Sequence, residues 1–379
     1  MPPRPVKHRK TVLRAYFCIS RSRIQPPAAR RSLKFRLDKP SAIRNKHPSD
    51  YFVDNKRIGK LSIIYLAPLQ GTTDRICRNL FPLYFKGVDL AIAPFVSSSK
   101  KMKADNRLLR DLAPERNTGL TTIPQILGSD PDDFVMLANR LFEMGYGTVN
   151  WNIGCPFHMV VKKGRGAGIL CYPDRVESFL ETAIPALKPK LSIKLRIGLT
   201  YPDDVLELMP IFNKYAIEEL IIHPRTGVQM YEGDVDLDMF EQCLRQSTHR
   251  LVYNGDIASS ARLAMLSKRF GSVDRWMIGR GLIGNPFLAE EIKTNTVKPF
   301  PEQIKIMKAF HDHLFAEYSK MLQGPAHITN KMKEVWTYMA NFFEESDKVR
   351  KKINKTHQRD HYAAAVNEIF NETRISGTK

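Results

Sequence analysis

The chain has 379 residues, 43% of them hydrophobic, and a formal net charge of +20. That length allows one large domain plus a small one, no run of 18 apolar residues is present to cross a bilayer, and the positive excess points to an acidic partner, nucleic acid first. The five cysteines, Cys18, Cys77, Cys155, Cys171 and Cys243, are few, odd in number and without CxxC spacing. This argues against a disulfide framework or a zinc site and fits a reducing, cytoplasmic compartment.

The charge is unevenly placed. Residues 1–60 hold 17 Lys or Arg against three acids, a net of +14, so the other 319 residues share only +6. Residues 1–58 therefore read as a basic arm, rich in Arg and Pro and without an apolar periodic face. The arm lacks the apolar segment of a secretory signal. It partly resembles a mitochondrial transit peptide, although its seven prolines before residue 50 would break an amphipathic helix. A disordered tail, a nucleic-acid-binding arm, a targeting segment and a start codon set too far upstream all remain open readings.

From about residue 61 short apolar runs alternate with helical stretches. Strands are predicted at 61–67, 88–93, 122–127, 147–152, 191–196, 218–223, 250–254 and 274–279. Between them, 131–144, 174–187 and 203–215 read as helices, with Pro or Asp at their starts. Eight such units over about 230 residues match a TIM (β/α)8 barrel, here spanning 59–298. The competing doubly wound sheet usually has fewer strands, and no GxGxxG follows the first one. Beyond it, 301–321, 328–345 and 358–371 read as helices of a small all-helical domain, 299–372, too small to be stable without packing on the barrel.

In this fold chemistry sits at the C-terminal ends of the strands, and phosphate commonly binds after strands 7 and 8. Those two places read Asn254-Gly255-Asp256 and Gly279-Arg280-Gly281. Glycines there let backbone N–H groups approach an anion, and Arg280 can pair with phosphate; plain tight turns are the simpler reading of either alone. Strand 4 ends in Asn152-Ile153-Gly154-Cys155-Pro156, which puts a thiol on the active face. An ordinary thiol is mostly protonated at neutral pH and can serve as an acid. Lys194 and Arg196 share one face of strand 5, and an inward Lys needs an anion or an electron-rich group. Strand 6 ends in His223-Pro224-Arg225, and Gln125 offers an amide near the end of strand 3. His311 and His313 diverge on a helix, and His357 and His361 have no evident third ligand, so no metal is expected.

Taken together, these segments resemble one family. Ala67-Pro68-Leu69-Gln70-Gly71-Thr72-Thr73-Asp74 is similar to the opening motif of the tRNA-dihydrouridine synthases. Asn152 to Pro156, followed by Lys162-Lys163-Gly164-Arg165-Gly166-Ala167-Gly168, resembles their catalytic segment. Lys194 to Gly198, His223 to Thr226, Asn254 to Asp256 and Gly279 to Gly281 follow in the family's order. Leu69, Gln70, Asn150 and Pro224 depart from the family's common Met, Glu, Asp and Gly. The tail around Lys333 to Tyr338 is most similar to the bacterial C-type branch, which acts on uridine 16.

The resemblance implies FMN, reduced by NADPH or NADH, and a uridine in tRNA as substrate. Reduced flavin would deliver hydride to C6 of uracil while Cys155 protonates C5. Pro68, Leu69, Gln70, Gln125, Lys194, His223, Asn254, Gly255, Asp256, Gly279 and Arg280 would bind the cofactor. Asn152, Lys162, Lys163, Arg165 and Arg225 would contact the substrate, Arg225 being equally placed for the flavin. The protein would act as a monomer, with the helical domain as a tRNA contact. Two other functions fit the same residues: an FMN-dependent reductase of a free pyrimidine, and an RNA-binding barrel that has lost its chemistry.

Overall fold

In the computed structural model, which describes residues 62–99 and 109–372, eight parallel strands close on themselves. They are β1 (Ile63–Leu66), β2 (Leu90–Ile92 and Val96–Ser97), β3 (Thr121–Ile123 and Gln125–Leu127), β4 (Thr148–Ile153), β5 (Lys190–Gly198), β6 (Glu219–Thr226), β7 (Leu251–Asn254) and β8 (Arg275–Ile278). Each pairs with the next, and β8 pairs with β1. β2 and β3 are each interrupted at a proline, Pro94 and Pro124, which has no N–H to give to a ladder. All eight predicted strands are present, and the TIM barrel with a helical C-terminal region is borne out. The arm at 1–58 lies outside the described residues.

Period-2 alternation divides the strands' side chains between two environments. Val149, Trp151 and Ile153 of β4, and Leu191, Ile193, Leu195 and Ile197 of β5, join the large core between sheet and helices. There Trp151 stacks on Phe179 of the helix Pro173–Ala186 at 3.8 Å. The inward residues are split by side. Tyr65, Ala67, Ile92, Ile221, Val252 and Met277 make a small apolar core inside the barrel. The β3–β6 side presents Gln125, Asn150, Asn152, Ser192, Lys194, Arg196 and Glu219 instead.

The outer helices start as the sequence suggests. Asp130, Asp236 and Ser259 each cap one, accepting from the backbone N–H three residues on. Among the described residues no helix is long and apolar enough to cross a membrane.

The C-terminal region holds Phe300–Met321, Pro325–Met339, Ser346–Asn354 and Arg359–Glu372. The third is short and strongly charged, and the sequence reading passed over it. His311 Nε2 and Trp336 Nε1 both meet the Tyr362 hydroxyl, at 2.7 and 2.8 Å, while His313 Nδ1 lies 2.9 Å from Tyr84 Oη. These histidines thus serve packing.

The region docks on the barrel helix Arg75–Tyr84, where Phe310 meets Phe81, Tyr84 and Phe85 at 4.9–6.1 Å between ring centres. Asp74 ties this contact to the first barrel loop. Its carboxylate caps the helix, accepting from Cys77 N at 3.2 Å and from the buried Tyr318 hydroxyl at 2.9 and 3.0 Å. It also pairs with Lys331 at 2.8 Å. Asp74→Ala should lower stability by about 2–4 kcal/mol, through a lost cap and an unsatisfied buried hydroxyl, whereas Tyr318→Phe should lose only about 1 kcal/mol. Urea unfolding of the two variants measures the difference; equal losses would mean that Asp74 does not join the two parts.

Candidate active site

One cavity of about 660 Å³ opens at the C-terminal ends of the strands, a size suited to a small-molecule cofactor. Its wall includes Pro68, Leu69 and Gln70 after β1, Gln125 on β3, Asn152 and Cys155 at the end of β4, and Lys194 and His223. It also includes Asn254, Gly255, Asp256, Gly279 and Arg280 after β7 and β8. Every residue predicted to bind the cofactor, and the predicted acid, therefore lies on one surface.

The cysteine loop is held from two sides. Asn152 Oδ1 accepts from the backbone N–H of Gly154 at 3.1 Å and of Cys155 at 2.9 Å. The glycine-rich loop folds back so that Ala167 N donates to Cys155 O at 2.9 Å. Gly166, with φ +55°, lies so close that a Cβ there would come within 2.5 Å of Cys155 O. Cys155 itself is half-buried. Burial pushes its thiol up, while the Phe157 backbone, Arg196 and Lys194 pull it partly back. The net result is a protonated group at neutral pH.

The cationic side of the cavity is dense. Burial and the neighbouring Arg196 bring Lys194 down to about 7, and among the described residues no carboxylate pairs with it. Arg196 is buried and donates to the carbonyls of Gly154, Thr226 and Met230 at 3.1, 2.7 and 2.5 Å. Burial and the surrounding cations hold His223 well below its usual range, hence neutral. Asp256, in a left-handed conformation (φ +44°), pairs with Arg280 at 2.8 Å and with Arg225. A Cβ on Gly281 would meet Ile257 O at 2.1 Å, so the β7 and β8 turns lie against each other only because residue 281 is glycine.

Arg225 does not line the cavity. It is buried, and its guanidinium is spent on Asp256, Gly233 O and His223. It braces the β7 turn from behind. Lys162, Lys163 and Arg165 stand outside the cavity too, on the loop that covers Cys155; Lys163 lines a separate groove with Arg175 and Ser129. Among the wall residues that the sequence did not single out as binding residues, Arg196, Phe157, Tyr231 and Tyr338 carry polar or aromatic side chains that bear on function. Arg196 was seen only as a neighbour of Lys194. Phe157 and Tyr231 are exposed aromatics at the rim, and Tyr338 comes from the C-terminal region. Tyr231 sits between Arg196 and Arg280, each guanidinium 5.2 Å from its ring centre. Nothing local in the sequence marks Tyr338, because only the docking of the tail brings it to the mouth.

The sequence model described as Dihydrouridine synthase (Dus) matches residues 65–374. The chain belongs to the dihydrouridine synthase family. It is 31% identical over 236 residues to tRNA-dihydrouridine synthase B of Pasteurella multocida (strain Pm70), covering 61% of this chain and 70% of that one. It is 28% identical over 269 residues to tRNA-dihydrouridine synthase B of Vibrio vulnificus (strain CMCP6), covering 69% and 82%. Among solved structures, an old yellow enzyme homologue from Zymomonas mobilis aligns with a TM-score of 0.45 at 14% identity, over 63% of this chain and 91% of that one. The barrel rests on the strand pairing above, not on that alignment. The family resemblance read from the motifs is thus met. The two relatives are designated B, whereas the tail segment at Lys333 to Tyr338 resembles the C-type branch.

The thiol's environment can be measured without any substrate. Alkylation of Cys155 by iodoacetamide, resolved by peptide mass mapping, should rise with pH along a titration displaced above that of an ordinary thiol. Buried Cys77 and Cys243 should stay unmodified in the folded protein. A Cys155 titration centred below neutral pH would remove it as an acid there.

Proposed function

We propose that the protein is a cytoplasmic, monomeric tRNA-dihydrouridine synthase that reduces the C5–C6 double bond of one uridine in tRNA. The observation that carries this reading is the pairing of a protonated thiol, Cys155, with a carboxylate-free lysine, Lys194, in one cavity of a barrel from this family. The cavity fits FMN: Lys194 offers charge to an electron-rich ring edge, and the turns at Asn254–Asp256 and Gly279–Arg280 offer a compact anion site. When bound and reduced by NADPH or NADH, FMN supplies the hydride that adds at C6 of uracil. Pro68, Leu69, Gln70, Gln125 and His223 complete its wall.

The chain's own part is the proton. Addition at C6 builds negative charge towards C5, and a positioned acid lowers that barrier. The Cys155 S–H bond breaks as the C5–H bond forms, and the thiolate then takes a proton from water. Asn152, with its Oδ1 engaged by backbone N–H groups and one Nδ2 hydrogen given to Gln125 Oε1, has the other Nδ2 hydrogen to offer a uracil carbonyl. A stacked base cannot reach the cavity and must be turned out of the helix. Phe157 at the rim presents a face for a neighbouring base. Lys162, Lys163 and Arg165 beside the mouth, and Lys351 and Lys355 on the helical tail, suit phosphates. A free-pyrimidine reductase and a chemically inert barrel are not favoured by the match over 65–374.

Mass spectrometry of tRNA from cells lacking the protein tests the reaction and the position together: one dihydrouridine should disappear. In vitro, Cys155→Ala should keep its flavin and still be reduced by the nicotinamide, while uridine reduction falls by roughly 10²–10⁴-fold. Cys171→Ala, beyond the glycine-rich loop, should retain most activity. Near-normal dihydrouridine formation by Cys155→Ala would defeat the mechanism. Separately, Arg280→Ala should release FMN more readily on dilution, as flavin fluorescence reports; unchanged retention would remove its phosphate role.

A further inference from the structure

A row of polar side chains crosses the inside of the barrel. Strand register sets Gln125 beside Asn150, Asn150 beside Ser192, and Ser192 beside Glu219. All four are fully buried or nearly so. Glu219 starts the row at the floor, where its Oε2 accepts from the Tyr65 hydroxyl at 2.8 Å and from Arg275 at 3.4 Å. Its Oε1 accepts from the Ser192 hydroxyl at 3.4 Å. Ser192 Oγ accepts from Asn150 Nδ2 at 2.8 Å, and Asn150 Oδ1 accepts from Gln125 Nε2 at 2.8 Å. Gln125 Oε1 then accepts from Asn152 Nδ2 at 2.8 Å, one layer higher. The last link is Asn152 Oδ1, which takes the N–H groups of Gly154 and Cys155.

Every arrow in this series points the same way, from the cysteine loop down to Glu219. An amide has one donor end and one acceptor end, so fixing one end of Asn150, Gln125 or Asn152 fixes the other. An ionised carboxylate can only accept. Placed at the foot of the series, it makes Ser192 donate, and each later group must then follow. An amide turned the wrong way would set two donors or two acceptors face to face in a buried site.

We propose that Glu219 is a positioning residue for the reaction: through Ser192, Asn150, Gln125 and Asn152 it fixes the direction of the hydrogen bonds that hold the Cys155 loop. This rests on the reading of Cys155 as the proton donor. It assigns work to Ser192, Asn150 and Glu219, none of which lines the cavity. A further consequence follows at the mouth. With Asn152 Oδ1 taken by two backbone N–H groups and one Nδ2 hydrogen given to Gln125, Asn152 has only an N–H to offer the cavity. That matches the carbonyl oxygens of a flavin or a uracil and mismatches the amino group of a cytosine.

The test breaks the row and then re-anchors it. Ser192→Ala removes one link without touching a charge. It should lower kcat for uridine reduction on the order of 10–10²-fold, with flavin reduction by the nicotinamide unchanged. It should also displace the pH profile of Cys155 alkylation, measured on the holoenzyme without tRNA. Glu219→Gln should act in the same direction. The double variants Ser192→Ala/Asn150→Asp and Glu219→Gln/Asn150→Asp should recover most of both readouts. A carboxylate at 150 accepts from Gln125 Nε2 by itself and needs no anchor below. If Glu219→Gln proves unstable, the Ser192 pair decides alone. Wild-type kcat and an unmoved alkylation profile in Ser192→Ala would overturn the proposal, as would a deficit that Asn150→Asp leaves unrepaired. Wild-type protein that fails to reduce tRNA would instead sink the functional reading, and the alkylation profiles would still judge the row.

Discussion

The need to satisfy polar groups inside a closed barrel governs this structure. A barrel interior has little water to offer, so each inward amide, hydroxyl or carboxylate must find a protein partner. Here the demand falls on one side only. The β1, β2, β7 and β8 wall is filled by Tyr65, Ala67, Ile92, Val252 and Met277, and the opposite wall carries the polar row from Glu219 to Asn152. The row ends at the cysteine loop, so the same bonds that make the interior tolerable also set the place of the thiol.

The mouth depends on that arrangement and adds an opposite requirement. Lys194, Arg196 and Arg280 line one edge, with Arg225 buried behind them, and Asp256 answers two of the four. Such a set is tolerable next to an anion or an electron-rich ring. The thiol lies in the same field, yet burial outweighs the cations and keeps it protonated. His223, pressed by the same cations, is neutral and so is a poor acid. The environment therefore separates the proton donor from its titratable neighbours.

The helical tail is part of the site as well as of the fold. It contributes Tyr338 to the cavity wall, and through Tyr318 and Lys331 it grips Asp74 and Gly71 O, a few residues after Pro68, Leu69 and Gln70. The tail packs an aromatic core of its own around Trp336, Phe343, Tyr362 and Phe370. The contacts of Phe310 with Phe81, Tyr84 and Phe85 join it to the barrel.

Much was legible in the sequence, because it is local. Strand runs, helix caps and the order of the Asn-Ile-Gly-Cys-Pro, Lys-Leu-Arg, Asn-Gly-Asp and Gly-Arg-Gly segments depend on neighbours within a few residues, and they determined the barrel, the family and the wall of the cavity. Three matters were decided only by tertiary structure. Arg225 turns away from the cavity because Asp256, 31 residues later, takes its guanidinium. Tyr338 reaches the mouth because the tail docks, and Tyr231 because its loop folds across Arg196 and Arg280. The polar row exists because register sets positions 125, 150, 192 and 219 side by side. A one-residue slip in any of those strands would turn its polar side chain out of the barrel. Sequence pattern tells which face of a strand is polar; only the pairing of strands decides which polar groups meet.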